Sequence, residues 1–411
     1  MIPWLRSGHM ADQGSAIDLL IVGAGMYVCG KGTDGFGTIL PAAFEACRAG
    51  LVGRIHIAAQ SEESAQAALA KAEELRKLMG VDAEVTVSPQ GTEHDSRAFI
   101  KAAEALSRDS AAIISVPDHL HFDITRQLIE RKVHVQVVKP LVPGVKETRE
   151  LIALKKKFNV LGLVEFHKRF DESNLKLREL IEGDALGELL NFRIQYSQRK
   201  IIPTRAFRNW VEQTDILQYL GVHYVDLIHF LTGAKPMRVM SYGLKKYLVK
   251  EGINTFDTIQ TLIEWRRGED GDFLSSHLTG WVDADTSSAM SDQRLEVQGT
   301  RGRCLVDQKN RGVSLSLDGK GVEDINPYFT QLYPAIDGKN KRAAGYGPES
   351  ILSFLRDVQN IKNGVSHPAG LGGLRATFES SLYVAAVLEA SRISLEGNNC
   401  WVDASPLWAE V

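Results

Sequence analysis

Ile17-Asp18-Leu19-Leu20-Ile21-Val22-Gly23-Ala24-Gly25 decides the fold class. A continuous apolar run reads as a strand buried on both faces, and glycines at its end read as a tight turn into a helix. The pattern repeats downstream. Strands are predicted at Arg54–Ala59, Glu84–Val87, Ala111–Val116, Val133–Val138 and Val160–Phe166. Helical spacing falls between them, over Thr38–Arg48, Glu62–Met79, Ser96–Leu106, Phe122–Arg131 and Val145–Phe158. Strand–helix alternation builds a doubly wound parallel α/β sheet, a Rossmann-type domain expected over residues 17–166.

After Phe166 the rhythm changes. A helix is expected over Ile216–Leu231. Strands follow near Met237–Leu248, Asp257–Trp265, Phe273–Trp281, Arg294–Gly299, Arg303–Val306 and Val313–Leu317. Consecutive strands without helices between them imply a large, mostly antiparallel sheet in an α+β domain, residues 167–411. Late helices are expected at Glu349–Asn363 and Leu374–Leu395, one of them able to pack back on the first domain. Residues 318–347 read as a long loop. Residues 1–16, with Gly8-His9-Met10, read as a leader.

Composition narrows the function classes. The 411 residues carry 48 basic and 51 acidic side chains, net −3, without the basic excess of a nucleic-acid binder. No apolar run is long enough to span a bilayer. Cys29, Cys47, Cys304 and Cys400 lie far apart, which argues against a zinc site or disulfide framework and suits a reducing cytoplasm.

Chemistry-bearing residues gather at the predicted strand ends, the edge of a parallel sheet where ligands bind. Gly23 and Gly25, followed by Met26, would let the backbone approach a pyrophosphate. The third position of the G-x-G-x-x-G pattern is Val28, and a stretch with Gly30, Gly32, Gly35 and Gly37 intervenes before the next helix. The loop therefore carries an insertion. Gln60 and Ser61 end the second strand with neither an acid for a ribose diol nor an arginine for a 2′-phosphate. Glu62 and Glu63 would repel a phosphate, which favours NAD over NADP.

Pro117, Asp118 and His121 follow the fourth strand. A metal there would want a third ligand, and none is near, so no metal is expected. Lys139, in Val138-Lys139-Pro140, ends the fifth strand and could polarise a substrate oxygen. Tyr219, His223 and Asp226 are spaced to share one helix face. His223 is a proton carrier suited to neutral pH, Tyr219 could share that role, and Asp226 could orient the imidazole. A lone histidine on an amphipathic helix is more often a core residue. Lys168, Arg208 and Trp210 are candidate substrate contacts, although Trp210 could equally be core and Arg208 a surface residue.

In order along the chain, Gly23-Ala24-Gly25, Pro117-Asp118-His119-Leu120-His121, Val138-Lys139-Pro140, Lys168-Arg169-Phe170 and Gly221-Val222-His223-Tyr224-Val225-Asp226 resemble the Gfo/Idh/MocA family. The resemblance runs from Ile17 to about Leu395. It implies an NAD(P)-dependent oxidoreductase acting on a secondary alcohol of a sugar, glycoside or cyclitol. Three positions depart from the family pattern. Val138 replaces a glutamate, Val28 and the insertion alter the phosphate loop, and Tyr219 stands where many members carry aspartate but glucose–fructose oxidoreductase, like this chain, has tyrosine.

Two other functions stay open at this point. A tightly held cofactor would serve sugar–sugar exchange or glycoside cleavage through a keto-sugar, and a non-catalytic sensor would use the same fold without chemistry. Leu274, Leu278 and Val282, or Leu295 and Val297, would leave one sheet face apolar. A symmetric homodimer through that face, possibly doubled to a tetramer, is expected. The competing expectation is that residues 318–347 cover the face.

Overall fold

The computed structural model describes residues 16–409 apart from 92, 269, 270, 320 and 374. The expected leader, save Ala16, and the first residue of the expected last helix lie outside the described residues.

The first unit alternates β1 (Ile17–Val22), α1 (Met26–Cys29), α2 (Ile39–Arg48), β2 (Val52–Ala58), α3 (Glu62–Met79), β3 (Glu84–Ser88), α4 (Ala98–Glu104), β4 (Ala111–Ile114), α5 (His121–Glu130), β5 (His134–Val138), α6 (Val145–Phe158) and β6 (Gly162–Glu165). Its six strands lie parallel in the order β3-β2-β1-β4-β5-β6. The order reverses between β1 and β4, which opens a crevice at their carboxyl ends.

Every residue of β1 is buried, including Asp18, whose carboxylate accepts from Arg54 at 3.0 and 2.7 Å and from the Ser107 amide at 2.8 Å. A buried acid needs such partners. Helix α3 matches its expected span because its signals are local. Ser61 caps its first turn, Ala65, Ala68, Ala72, Leu75 and Met79 face the sheet, and Gly80 ends it in the left-handed conformation.

The second unit contains α7 (Glu172–Glu182), β7 (Leu189–Arg199), α8 (Val222–Thr232), β8 (Lys235–Leu244), α9 (Tyr247–Lys250), β9 (Thr258–Arg266), β10 (Asp272–Asp283), β11 (Ser291–Gly299) and β12 (Arg303–Asp307). It continues through β13 (Val313–Leu317), β14 (Gly321–Ile325), β15 (Gln331–Pro334), β16 (Lys341–Ala344), α10 (Tyr346–Lys362), α11 (Phe378–Glu396), β17 (Val402–Asp403) and α12 (Ser405–Ala409). The large sheet runs β12-β11-β7-β10-β9-β8-β17. It is antiparallel except for the central β7–β10 pair, which is parallel.

Several expectations are corrected. The central strand β7 and helix α7 have no counterpart in the sequence reading. Val313–Leu317 does not join the large sheet but pairs with β14 in a separate hairpin, and β15 pairs with β16 in another, inside the expected loop. The expected helix over Ile216–Leu231 starts as a wide π turn, Leu217–Gly221, before α8.

Leu295 and Val297 point into the core, fully buried, because β11 pairs with β7 in the register Leu295↔Ile194 and Val297↔Phe192. Leu274, Leu278 and Val282 do lie on the open face. Within the expected loop, Thr330 meets Thr38 at 3.0 Å and the Ala343 amide donates to Glu45 at 2.6 Å, both in the first unit, while Asp324 stays with Ser288 of the second. Helix α10 also lies against that unit, with Ile351, Phe354, Leu355 and Val358 sharing a core with Ile17, Leu19 and Phe44.

Candidate active site

The crevice between β1 and β4 opens into a cleft of about 430 Å³ lined by Gly23, Ala24, Gly25, Gln60, Ser64, Arg97, Ser115 and Pro117, among others. Gly23 has φ +114°, and a Cβ there would sit 2.1 Å from the Ser115 carbonyl oxygen. Only glycine fits. A Cβ on Gly25 would meet open space, so the backbone at the start of α1 is free for a ligand's close approach.

The inserted residues interrupt what would otherwise be one helix. The chain leaves α1 at Gly30 (φ +74°), loops out, and returns at Gly37 (φ +69°), where the Thr38 amide donates to the Tyr27 carbonyl at 2.8 Å. The excursion reaches α3, where Lys31 Nζ donates to Ser64 Oγ at 2.8 Å and Lys71 Nζ donates to the Thr33 carbonyl at 3.4 Å. These residues fit a dinucleotide: a glycine cradle for the pyrophosphate, and Gln60, Ser64 and Lys31 at the ribose end. Met26 follows Gly25 as the first residue of α1 and is half-buried. Ser61 is occupied as the α3 cap.

Lys139, at the end of β5, reaches the second unit. Its Nζ donates to the Tyr219 carbonyl and lies 3.9 Å from the centre of the Tyr219 ring. The π turn presents both groups, and such turns recur at functional sites. Phe207, Trp210 and Trp281 surround the Tyr219 ring at 4.9, 5.9 and 5.8 Å. Burial lowers the Lys139 pKa to about 8, partly opposed by Asp118 and Glu165. Burial, with Tyr196 and Asp118 nearby, pushes the Tyr219 phenol up, which makes it a poor proton carrier.

His223, on the first turn of α8, is buried, and its Nδ1 has no hydrogen-bond partner among the described residues. Burial first, then His167, Lys139 and Lys168 nearby, push its pKa well below the ordinary imidazole value. Its ring therefore carries a free lone pair at neutral pH, the form a base needs.

Other expected site residues take different places. Asp226 makes no hydrogen bond to the imidazole among the described residues. Arg169 binds its carboxylate with two hydrogen bonds, 2.8 and 2.6 Å, and both side chains are buried. Lys168 is buried behind the cleft, donating to Gln293 and, at 3.0 Å, to Gln308. Burial lowers its pKa to about 7, and with its ammonium engaged by Gln293 and Gln308 it acts on His223 only at a distance. Arg208 is exposed and donates to the Gly252 carbonyl at 3.1 Å. His121 faces no cleft. Its ring nitrogens lie 2.8 Å from the Pro140 carbonyl and 3.0 Å from that of Val116, which ties the Lys139 loop to the β4 turn. Asp118 accepts from Thr214 at 3.0 Å and Gln218 at 2.5 Å, joining the two units, and its Oδ1 is buried without a partner among the described residues. Among the described residues, no group of three or more His, Cys, Asp or Glu could hold a metal ion.

The sequence reading missed Lys31, Ser64 and Arg97, which only the fold brings to the cleft. It also missed Tyr27, Glu165 and His167, which cluster beside His223.

Residues 18–166 match the family described as "Oxidoreductase family, NAD-binding Rossmann fold", and residues 174–305 match the GFO/IDH/MocA C-terminal domain. The chain belongs to the GFO/IDH/MocA oxidoreductase family. It is an NAD(P)-dependent oxidoreductase with a Rossmann domain.

An inositol 2-dehydrogenase of Rhizobium meliloti is 22% identical over 84% of this chain and 97% of its own. A levoglucosan dehydrogenase of Pseudarthrobacter phenanthrenivorans is 21% identical over 72% of this chain and 80% of its own. The fold matches an Azotobacter vinelandii inositol dehydrogenase homologue solved with NADH and myo-inositol, with a TM-score of 0.69 and 18% identity over 95% of this chain and 98% of that one. Among the described residues no helix is long and apolar enough to cross a membrane.

Proposed function

We propose that this protein oxidises or reduces a secondary alcohol of a sugar, glycoside or cyclitol. One observation carries the reading: the sheet edge that holds the glycine cradle also brings Lys139 against the turn that leads into His223. The relatives named for inositol and levoglucosan support the substrate class. A nicotinamide, when bound, accepts or returns the hydride.

The chain's own groups do the rest. His223 takes the hydroxyl proton, and Lys139 holds the oxygen and offsets its developing negative charge. Trp210, beside Tyr219, forms part of the substrate wall. Asp118 fixes the second unit against the cleft through Thr214 and Gln218. A panel of cyclitols, sugars and glycosides, assayed for dinucleotide reduction, tests the reading, and no turnover with any of them would reject it.

NAD(H) is the proposed dinucleotide, since Glu62 and Glu63 flank the ribose end. Lys31 and Arg97 also line the cleft there, and they set how well a 2′-phosphate is tolerated. A second reading keeps the chemistry and changes the net reaction. The Gly30–Gly37 excursion, tied to α3 by Lys31 and Lys71, would slow cofactor release and suit a recycled cofactor. Denaturing the purified protein and assaying released NAD(H) separates the two.

The proposed assembly is a homodimer through the large sheet. Leu274, Leu278 and Val282 leave an apolar stripe on its outer face, with Tyr242, Leu244 and Leu305 also exposed. A second copy would bury the same stripe on both partners.

A further inference from the structure

The structure places a second histidine, His167, beside His223, and the chemistry above does not use it. The two rings lie 4.6 Å apart, centre to centre. His167 follows β6 directly, and its Nδ1 lies 3.1 Å from the nearer carboxylate oxygen of Glu165, the last residue of that strand. The Glu165 carboxylate is fully buried and also accepts from Ser350 Oγ at 2.7 Å. Tyr27, from the interrupted phosphate loop, brings its hydroxyl within 3.3 Å of the same Nδ1. Phe329 and Tyr346 pack against the imidazole at 5.0 and 5.7 Å.

A carboxylate can only accept, so Nδ1 of His167 carries the hydrogen and donates to it. The tautomer is thereby set, and Nε2 is left with the lone pair. His223 has no such support. The acid that its own helix offers, Asp226, is bound by Arg169, and the His223 Nδ1 has no hydrogen-bond partner among the described residues. The sheet register adds a further point. Glu165 stands directly opposite Val138 on the neighbouring strand, so a carboxylate returns to the side of Lys139 where Val138 itself offers none.

We propose that Glu165 and His167 form the proton-holding partner of His223 in the oxidoreductase reaction. This rests on the reading of His223 as the base. On alcohol oxidation the hydroxyl O–H breaks, the hydride leaves for the nicotinamide, and the proton goes to His223. It passes to Nε2 of His167, forming an imidazolium paired with the Glu165 carboxylate, and returns to solvent after product leaves. His167 acts through His223 and is a positioning residue. The titratable and charged groups facing it are Glu165 on β6, Tyr27 on α1, His223 on α8 and Tyr346 on α10, with Lys139 and Lys168 acting at longer range on His223.

Nitrogen-15 NMR of histidine-labelled protein without substrate tests the pair independently of turnover. Nδ1–H tautomer signals for His167 are expected. In Glu165→Gln the group that can only accept is gone, so the preference of His167 for the Nδ1–H tautomer should weaken. His167→Asn should lower kcat about tenfold or more while the KM for dinucleotide and the melting temperature stay near wild type. His167 in the Nε2–H tautomer, or a tautomer balance unchanged in Glu165→Gln, would overturn the proposal. So would a wild-type pH profile in a folded His167→Asn protein. Absence of turnover with every alcohol would reject the function reading and leave the NMR test standing.

Discussion

The ammonium of Lys139 sits 3.9 Å from the centre of the Tyr219 ring and donates to the same residue's carbonyl. One lysine at the end of a parallel strand thus bridges the dinucleotide-binding unit and the π turn that opens the His223 helix. Its pKa of about 8 means it is cationic at neutral pH but close to losing that charge. Lys139→Ala should lower kcat by about 10²–10⁴-fold with dinucleotide affinity retained. In carbonyl reduction, where a cation polarises the oxygen, wild-type turnover should fall as pH rises through about 8. Lys139→Arg keeps its charge and should move that alkaline limb upward. The pH profiles of kcat check both.

Gly23 is held at φ +114° against the Ser115 carbonyl. Gly23→Ala forces either a backbone shift or a clash, at a cost of about 1–3 kcal/mol in strain alone. Calorimetric titration with ADP-ribose should show binding lost or severely weakened. Gly25→Ala, with open space around the added methyl, should fold normally and lose affinity only through the ligand.

Arg169 and Asp226 form a buried pair, so removing one partner leaves the other charged and unpaired. Asp226→Asn should destabilise the protein by about 3–5 kcal/mol. Denaturant unfolding should show this as a lower midpoint. A variant of normal stability with only a raised substrate KM would instead return Asp226 to the substrate site.

Leu278 lies 46% exposed near the middle of the open sheet face. Leu278→Glu should convert a dimer to single chains at micromolar concentration with little change in melting of the isolated chain. Light scattering after size exclusion reads the mass. A wild-type protein that elutes as one chain would contradict the assembly.

The Rossmann unit was legible because its signals are local: continuous apolar strands, alanine-rich helices, and glycine at Gly23 and Gly80. Strand β7 also carried a signal, Phe192, Ile194 and Tyr196 alternating with Arg193 and Gln195. It lay outside the run of strands from which the sheet was read. The placement of Leu295 and Val297 depended on pairing register, which a period of two cannot supply by itself.

At the site, Lys139, Tyr219 and His223 followed from motif order and strand-end logic. Lys168 and Asp226 sat in the same motifs, yet Gln308 and Arg169 claim them, and these partners become neighbours only in the fold. His167 directly precedes Lys168-Arg169, but its meaning comes from Glu165, Tyr27 and His223, contacts that no local pattern announces.

The most direct test of the account is the rate of dinucleotide reduction by wild type, Lys139→Ala and His223→Ala with the best polyol from the panel, followed by nicotinamide absorbance. The account predicts turnover in the wild type and a loss of about 10²-fold or more in each variant, with ADP-ribose binding intact. Near-wild-type kcat in either folded variant would contradict it.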